Sequence, residues 1–165
     1  MKKGQVWIAD FILGTSLFVA VVLISINIML DLDSDSDYEI MYRNSYYATN
    51  ILLTQGVPDD WNENTVVVPG LITGERLDKD KLENFDYLDY ELKKKLLILQ
   101  NDFLLIFKSG GEILNITSCS YGYDLNHGDN CEFELDDLDY EDLVISKRHV
   151  IHESDLIEMV LYVWK

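Results

Sequence analysis

The sequence predicts an α+β chain. A long N-terminal helix, membrane-spanning and then amphipathic, is expected to pack on a C-terminal antiparallel four-stranded sheet. Three observations carry this expectation. Residues Phe11 to Leu30 run for 20 positions without a charge. Apolar residues then recur at helical spacing, first after Tyr38 and again after Asp78. From Asp102 onward, apolar runs alternate with turn residues.

Composition bounds the function. The chain has 165 residues, with 13 Lys+Arg against 30 Asp+Glu and a formal net charge of -17. That length fits one globular domain plus an anchor. So acidic a surface repels polyanions, and no nucleic-acid partner is expected. The hydrophobic content of 48% is too high for a disordered acidic tail. Two Cys exclude a dense disulfide scaffold and allow one bridge.

The N-terminus is read first. Met1-Lys2-Lys3-Gly4 is short and basic. At about 1.5 Å per residue the apolar run spans roughly 30 Å as a helix, the thickness of a bilayer core. A buried core helix is the competing reading, but such helices are seldom this long and apolar on every side. The run exceeds the apolar region of a cleavable secretory signal, and no small-x-small site follows it. The helix is therefore expected to stay in the mature chain. Lys2 and Lys3 precede it, and Asp31, Asp33, Asp35 and Asp37 follow. The positive-inside rule keeps that N-terminus cytoplasmic and sends the remainder out. Setting aside Lys2, Lys3 and Asp10, 29 acidic and 11 basic residues remain beyond the span, a net -18. Asp10 stands at the start of the apolar helix. A carboxylate costs about 2.5–3.5 kcal/mol at the bilayer centre and less near the edge. It either snorkels to the headgroups or meets a positive partner on assembly.

Lys2-Lys3-Gly4-Gln5, then a few residues with one acid, then an unbroken apolar helix, resembles the class III signal peptide of archaeal type IV pilin-like proteins. The resemblance covers roughly the first 30 residues. It implies a leader over 1–4, cut between Gly4 and Gln5 by a prepilin peptidase on the cytoplasmic side. It implies a transmembrane and assembly helix over 5–30 and an acidic extracellular α+β domain over 31–165. The implied partners are the membrane, the prepilin peptidase and other pilin-like subunits, and the implied destination is a surface filament. The family's acid usually occupies the fifth mature position. Here that position is Ala9, and Asp10 is the sixth. By the resemblance, Asp10 neutralises the terminal amine of a neighbouring subunit.

Residues 31–37, DLDSDSD, read as a linker or a solvated helical turn. Counting from Asp31 or Asp33, the sixth residue is Ser36 or Tyr38 and the twelfth Tyr42 or Asn44, so an EF-hand loop does not fit. Ile40, Met41, Tyr47, Ile51 and Leu52 then mark an amphipathic helix that Gly56 and Pro58 stop. Trp61 is expected to pack on the core. Val66-Val67-Val68 reads as a short strand ended by Pro69-Gly70. Residues 78–99 read as a helix capped by Asp78, with a stripe at Leu82, Phe85, Leu88, Leu92, Leu96 and Leu99. Glu91 stands at favourable spacing to Lys94 and Lys95, and a break is expected near Asn84–Asp86. The strands are Asp102–Lys108, Ile113–Ser118, Asp142–Ile151 and Leu156–Trp164. Turns at Ser109–Glu112 and His152–Asp155 make two hairpins in series. The resulting meander keeps one face wet and lays the other on the N-terminal helix, the pilin-type plan.

Cys119 and Cys131 close a loop of about a dozen residues. Outside the cell such a pair reads as a disulfide; free thiols, or a metal site with His127, are the competing readings. In the pilin-like family such a bridge often pins a surface loop, where Tyr121 and Tyr123 would contact a partner. His149 and His152 are three apart along a strand and point to opposite faces. Asp136, Asp137, Asp139, Glu141 and Asp142 read as a solvated acidic loop. Asn115-Ile116-Thr117 is an N-glycosylation sequon, here inside an expected strand. No phosphate loop, nucleophile elbow or metal motif stands out, so neither catalysis nor a cofactor is expected. Three classes remain: a filament subunit, a single-pass membrane-anchored extracellular binding module that does not polymerise, and a membrane-tethered enzyme.

Overall fold

A computed structural model describes residues 3–124, 131, 135 and 138–165, leaving the side chains of 3–7, 9 and 30–36 undescribed. The chain divides into two compact units, residues 1–39 and 40–165. Helix α1 runs Lys3–Leu52, so the acidic 31–37 stretch is helical rather than an open linker.

The second unit is α+β, but its sheet is not a four-stranded antiparallel meander. Among the described residues it has seven strands: β1 (Ile72–Thr73), β2 (Arg76–Leu77), β3 (Asp102–Ser109), β4 (Glu112–Ile113), β5 (Tyr121–Gly122), β6 (Leu143–His152) and β7 (Asp155–Trp164). Their order is β1-β2-β6-β7-β3-β4, with β5 also paired to β3. β2 lies parallel to β6 through Arg76↔Ile151, which makes the sheet mixed. Strand β7 takes the centre between β6 and β3, with Val163 opposite both Val144 and Phe103. Its sequence explains the position. From Met159 to Trp164 every residue is buried, on both faces, and a strand apolar on both faces belongs inside a sheet. The expected strand Ile113–Ser118 shrinks to β4. Polar Asn115, Thr117 and Ser118 lead the chain away instead. Strands β1 and β2 close on Gly74-Glu75, both at positive φ (55° and 71°), as a two-residue hairpin of this hand requires.

Alternation along the strands builds two cores. On one face Phe103, Leu105, Phe107, Met159, Leu161 and Val163 meet Met41, Ala48 and Leu52 of α1, all buried. Ser45 Oγ and Ser146 Oγ share a hydrogen bond of 2.7 Å across that contact. On the other face Leu104, Ile106, Val160, Tyr162 and Trp164 cluster with Leu138.

The expected helix 78–99 is two helices, α2 (Lys79–Tyr87) and α3 (Tyr90–Leu96). Asp78 caps the first through the amides of Asp80 and Lys81. The break falls at Leu88, slightly beyond the expected Asn84–Asp86, because Asp89 caps a new helix through the amides of Glu91 and Leu92. The restart shifts the phase of the stripe: Leu92 is 38% exposed, while Leu97 and Leu99 are buried. Lys94 pairs with Asp102 at 3.1 Å. Val66–Val68 forms one bridge, Val57↔Val68, rather than a strand. Trp61 is buried as expected, its Nε1 donating to the Gly70 carbonyl at 2.8 Å.

Candidate functional site

The first unit holds the residues on which the N-terminal reading rests. Gly4 and Gln5 lie in the opening turn of α1, and the Gln5 side chain is outside the described residues. Asp10–Met29 is 20 residues of helix with mean hydropathy 2.4 and no buried position, long and apolar enough to cross a membrane. Its few polar side chains turn back on their own helix. Thr15 Oγ1 donates to the Phe11 carbonyl at 2.8 Å, Ser25 Oγ to Val21 at 2.9 Å, and Asn27 Nδ2 to Leu23 at 2.8 Å. Each of these groups thereby finds a backbone acceptor without water, the condition that hydrocarbon imposes. Phe11, Leu17, Phe18, Leu23, Ile24 and Met29 leave an apolar surface on every side. Asp10 is exposed at the start of this stretch.

The second unit carries the disulfide, Cys119–Cys131. His127 lies outside the described residues, and no group of three or more metal-ligating side chains occurs among the described ones. The bridge closes a separation of 12 residues, for which chain entropy gives about 3 kcal/mol. Replacing either cysteine by Ser is expected to destabilise the 40–165 unit by about 2–4 kcal/mol. Urea titration of the full chain in detergent checks this, and an unchanged midpoint would refute it.

Tyr121 does not offer itself to a partner. It is buried, its ring edge-on to Phe107, and its hydroxyl accepts from the amides of Thr117 and Ser118. Burial raises its pKa, partly opposed by its hydrogen bond with the Thr117 hydroxyl and by those amides. Tyr123 is 41% exposed but packs edge-on against Tyr90 and Trp164. Asn115 is exposed beyond β4, outside any strand, so its sequon is accessible. Of the acidic loop, Asp136 and Asp137 lie outside the described residues, and Asp139 and Glu141 are exposed. His149 is exposed and faces Glu158 at 3.9 Å, while His152 is half-buried.

Two clefts were not legible in the sequence. One, of about 360 Å³, lies between Asp86, Lys93, Ser118, Cys119 and Asp124. Lys93 is buried there; its Nζ donates to the Asp86 carbonyl at 2.9 Å and sits 5.5 Å from the Phe85 ring centre. Burial lowers the Lys93 pKa and raises that of the Asp86 carboxyl, each partly opposed by the other's charge. The lysine thus ties α2 to α3, a structural use of the cation. The second cleft, of about 320 Å³, lies among Asp59, Asp60, Asp78 and Asp80, with Trp61 and Lys81 in its lining. Lys81 Nζ is held on the carbonyls of Gln55 (2.7 Å) and Ile72 (3.2 Å). The signal for both lysines was a cation on the apolar side of a helix, which a stripe of Leu and Phe alone conceals. Comparisons with protein-family models, curated proteins and solved structures find no match for this chain.

Proposed function

We propose that this chain is a pilin-like subunit of an archaeal type IV-type surface filament, which assembles through its apolar N-terminal helix after leader cleavage. The observation that carries the reading is the bare helix. The 40–165 unit closes its own core, whereas the Asp10–Met29 stretch buries nothing. A helix apolar on every side needs lipid before assembly and other such helices after it. Exchanging one for the other is the move of a filament subunit, and Lys2-Lys3-Gly4-Gln5 supplies the cut that would permit it.

Leader processing is the direct test. The chain extracted from membranes is expected to begin at Gln5, short of residues 1–4. Intact-mass measurement reads this. A chain retaining Met1 in the membrane would overturn the reading and leave the membrane-anchored, non-polymerising binding module. A start beyond Leu30 would remove both.

A further inference from the structure

We propose that Asn115 carries an N-linked glycan at the β4 edge of the sheet. The inference rests on the outward placement of the 40–165 unit, which the proposed function includes, and not on polymerisation.

The sequence holds one Asn-x-Ser/Thr triplet, Asn115-Ile116-Thr117, and its middle residue is not Pro. Such a triplet is an acceptor where it lies outside the membrane and the asparagine can be reached. The fold meets the second condition. Residues 114–120 form neither helix nor strand. Leu114 N donates to the Phe107 carbonyl at 2.8 Å, and Leu114 and Ile116 both pack on the main core. Asn115, between these two anchors, is exposed. Its side-chain amide makes no hydrogen bond among the described residues. Other exposed asparagines serve the local fold: Asn62 Oδ1 accepts from the Asn64 amide at 2.9 Å, and Asn27 Nδ2 donates to the Leu23 carbonyl at 2.8 Å. A sugar on Asn115 Nδ2 therefore displaces no contact.

The third residue of the triplet sets the order of events. Thr117 Oγ1 shares a hydrogen bond of 2.8 Å with the Tyr121 hydroxyl, which also accepts from the amides of Thr117 and Ser118. Cys119, two residues on, is bridged to Cys131. In the finished fold the Thr117 hydroxyl is committed, so the triplet is read while this stretch is still extended and unbridged. The step forms a bond from Asn115 Nδ2 to the anomeric carbon of a sugar. It breaks the bond of that carbon to the phosphate oxygen of a lipid-phosphate-linked sugar donor. The phosphate leaves with the electron pair, and Nδ2 gives up one proton to solvent.

The position gives the glycan a use. Strand β4 has two residues and ends the sheet, and β3 otherwise pairs on that side, among the described residues, only with the two residues of β5. An open edge is a template for pairing with another chain. A bulky hydrated group beside it blocks that pairing.

The test reads the full-length chain extracted from the membranes of its native cells. Peptide mass spectrometry is expected to place a mass made of whole sugar residues on Asn115. Asn115→Gln is expected to lose that mass entirely. Thr117→Val is expected to lose it too, whereas Thr117→Ser keeps the triplet and the sugar. Tyr121→Phe breaks the same Thr117 contact but leaves the triplet intact, and it is expected to stay glycosylated. Loss of the sugar in Tyr121→Phe would overturn the order of events. An unmodified Asn115 in the wild-type chain overturns the inference, as does a sugar carried on Ser or Thr instead. Labelling of the exposed Lys147 on intact cells by a membrane-impermeant amine reagent separates two failures. With Lys147 labelled and Asn115 bare, the glycan alone falls; with Lys147 shielded, the outward placement falls as well. A glycan on Asn115 in a chain that keeps Met1 upholds the inference and removes the filament reading.

Discussion

Gly70→Ala is expected to unfold the 40–165 unit, with a loss of more than about 3 kcal/mol. A Cβ at Gly70 would press on the Gly56 amide and the Thr54 carbonyl, with the Thr54 carbonyl carbon at 2.6 Å. All of these are backbone atoms, so no side chain can swing aside. The segment they hold is a latch. Leu71 N donates to Leu52 O at 2.8 Å, Ile72 N to Thr54 O at 3.0 Å, and Trp61 Nε1 to Gly70 O at 2.8 Å. These bonds tie the end of α1 to the start of β1 with Trp61 as the wedge. Trp61→Ala is expected to cost about 3–5 kcal/mol, since it empties a large buried volume. Trp61→Phe keeps most of the volume but strips the Gly70 carbonyl of its donor, for about 1–3 kcal/mol. Equilibrium urea unfolding followed by far-UV circular dichroism ranks the three. A Gly70→Ala midpoint within error of wild type would show that the backbone can yield there and that no latch exists.

Local sequence patterns located most elements but not their partners. The amphipathic segment after Tyr38, the Asp78 cap, buried Trp61, the hairpin turn at His152–Asp155 and the long strand Asp102–Lys108 all read directly from residue spacing. Strand order did not, because pairing is decided by burial rather than by sequence adjacency. The clue was present in LIEMVLYVW, whose failure to alternate marks a strand buried on both faces. Treating it as the last arm of a meander placed it at an edge. The short hairpin β1–β2 escaped notice because strands of two residues carry no period at all. Its one signal was Gly74, standing just after Ile72-Thr73.

The site residues divide along the same line. The apolar stretch and the Cys119–Cys131 bridge follow from composition and spacing, and both stand where they were read. Tyr121 was misplaced because nothing in SYGYD distinguishes the tyrosine that faces the core from the one that faces out. Alternation next to Gly122 decides it: Tyr121 lies opposite Leu105 on the buried face.

Asp10→Ala is expected to reduce recoverable surface filaments at least about tenfold while leaving membrane insertion and leader cleavage intact. Insertion should not suffer, because the change only raises the apolar character of a helix that already has mean hydropathy 2.4. Cleavage should not suffer, because under the proposed function the cut falls between Gly4 and Gln5, away from Asp10. Assembly should suffer, because a carboxylate at the start of an apolar helix is tolerated best where a partner offsets its desolvation. Under the proposed function that partner is the freed amine of Gln5 on an adjacent subunit, positive and at a similar membrane depth. Asp10→Glu keeps the charge on a longer arm and is expected to be milder. Ala9→Asp combined with Asp10→Ala moves the acid to the fifth mature position, about 100° around the helix. If this chain has its own register, the double variant assembles as poorly as Asp10→Ala. Rescue by the double variant would show that the assembly needs the acid but not its angular position. The measurement is the ratio of sheared filaments to the membrane-bound pool for each variant at equal expression. Normal filaments from Asp10→Ala would mean that Asp10 only snorkels to the headgroups. The proposed subunit contact would then have to rest on the apolar helix alone.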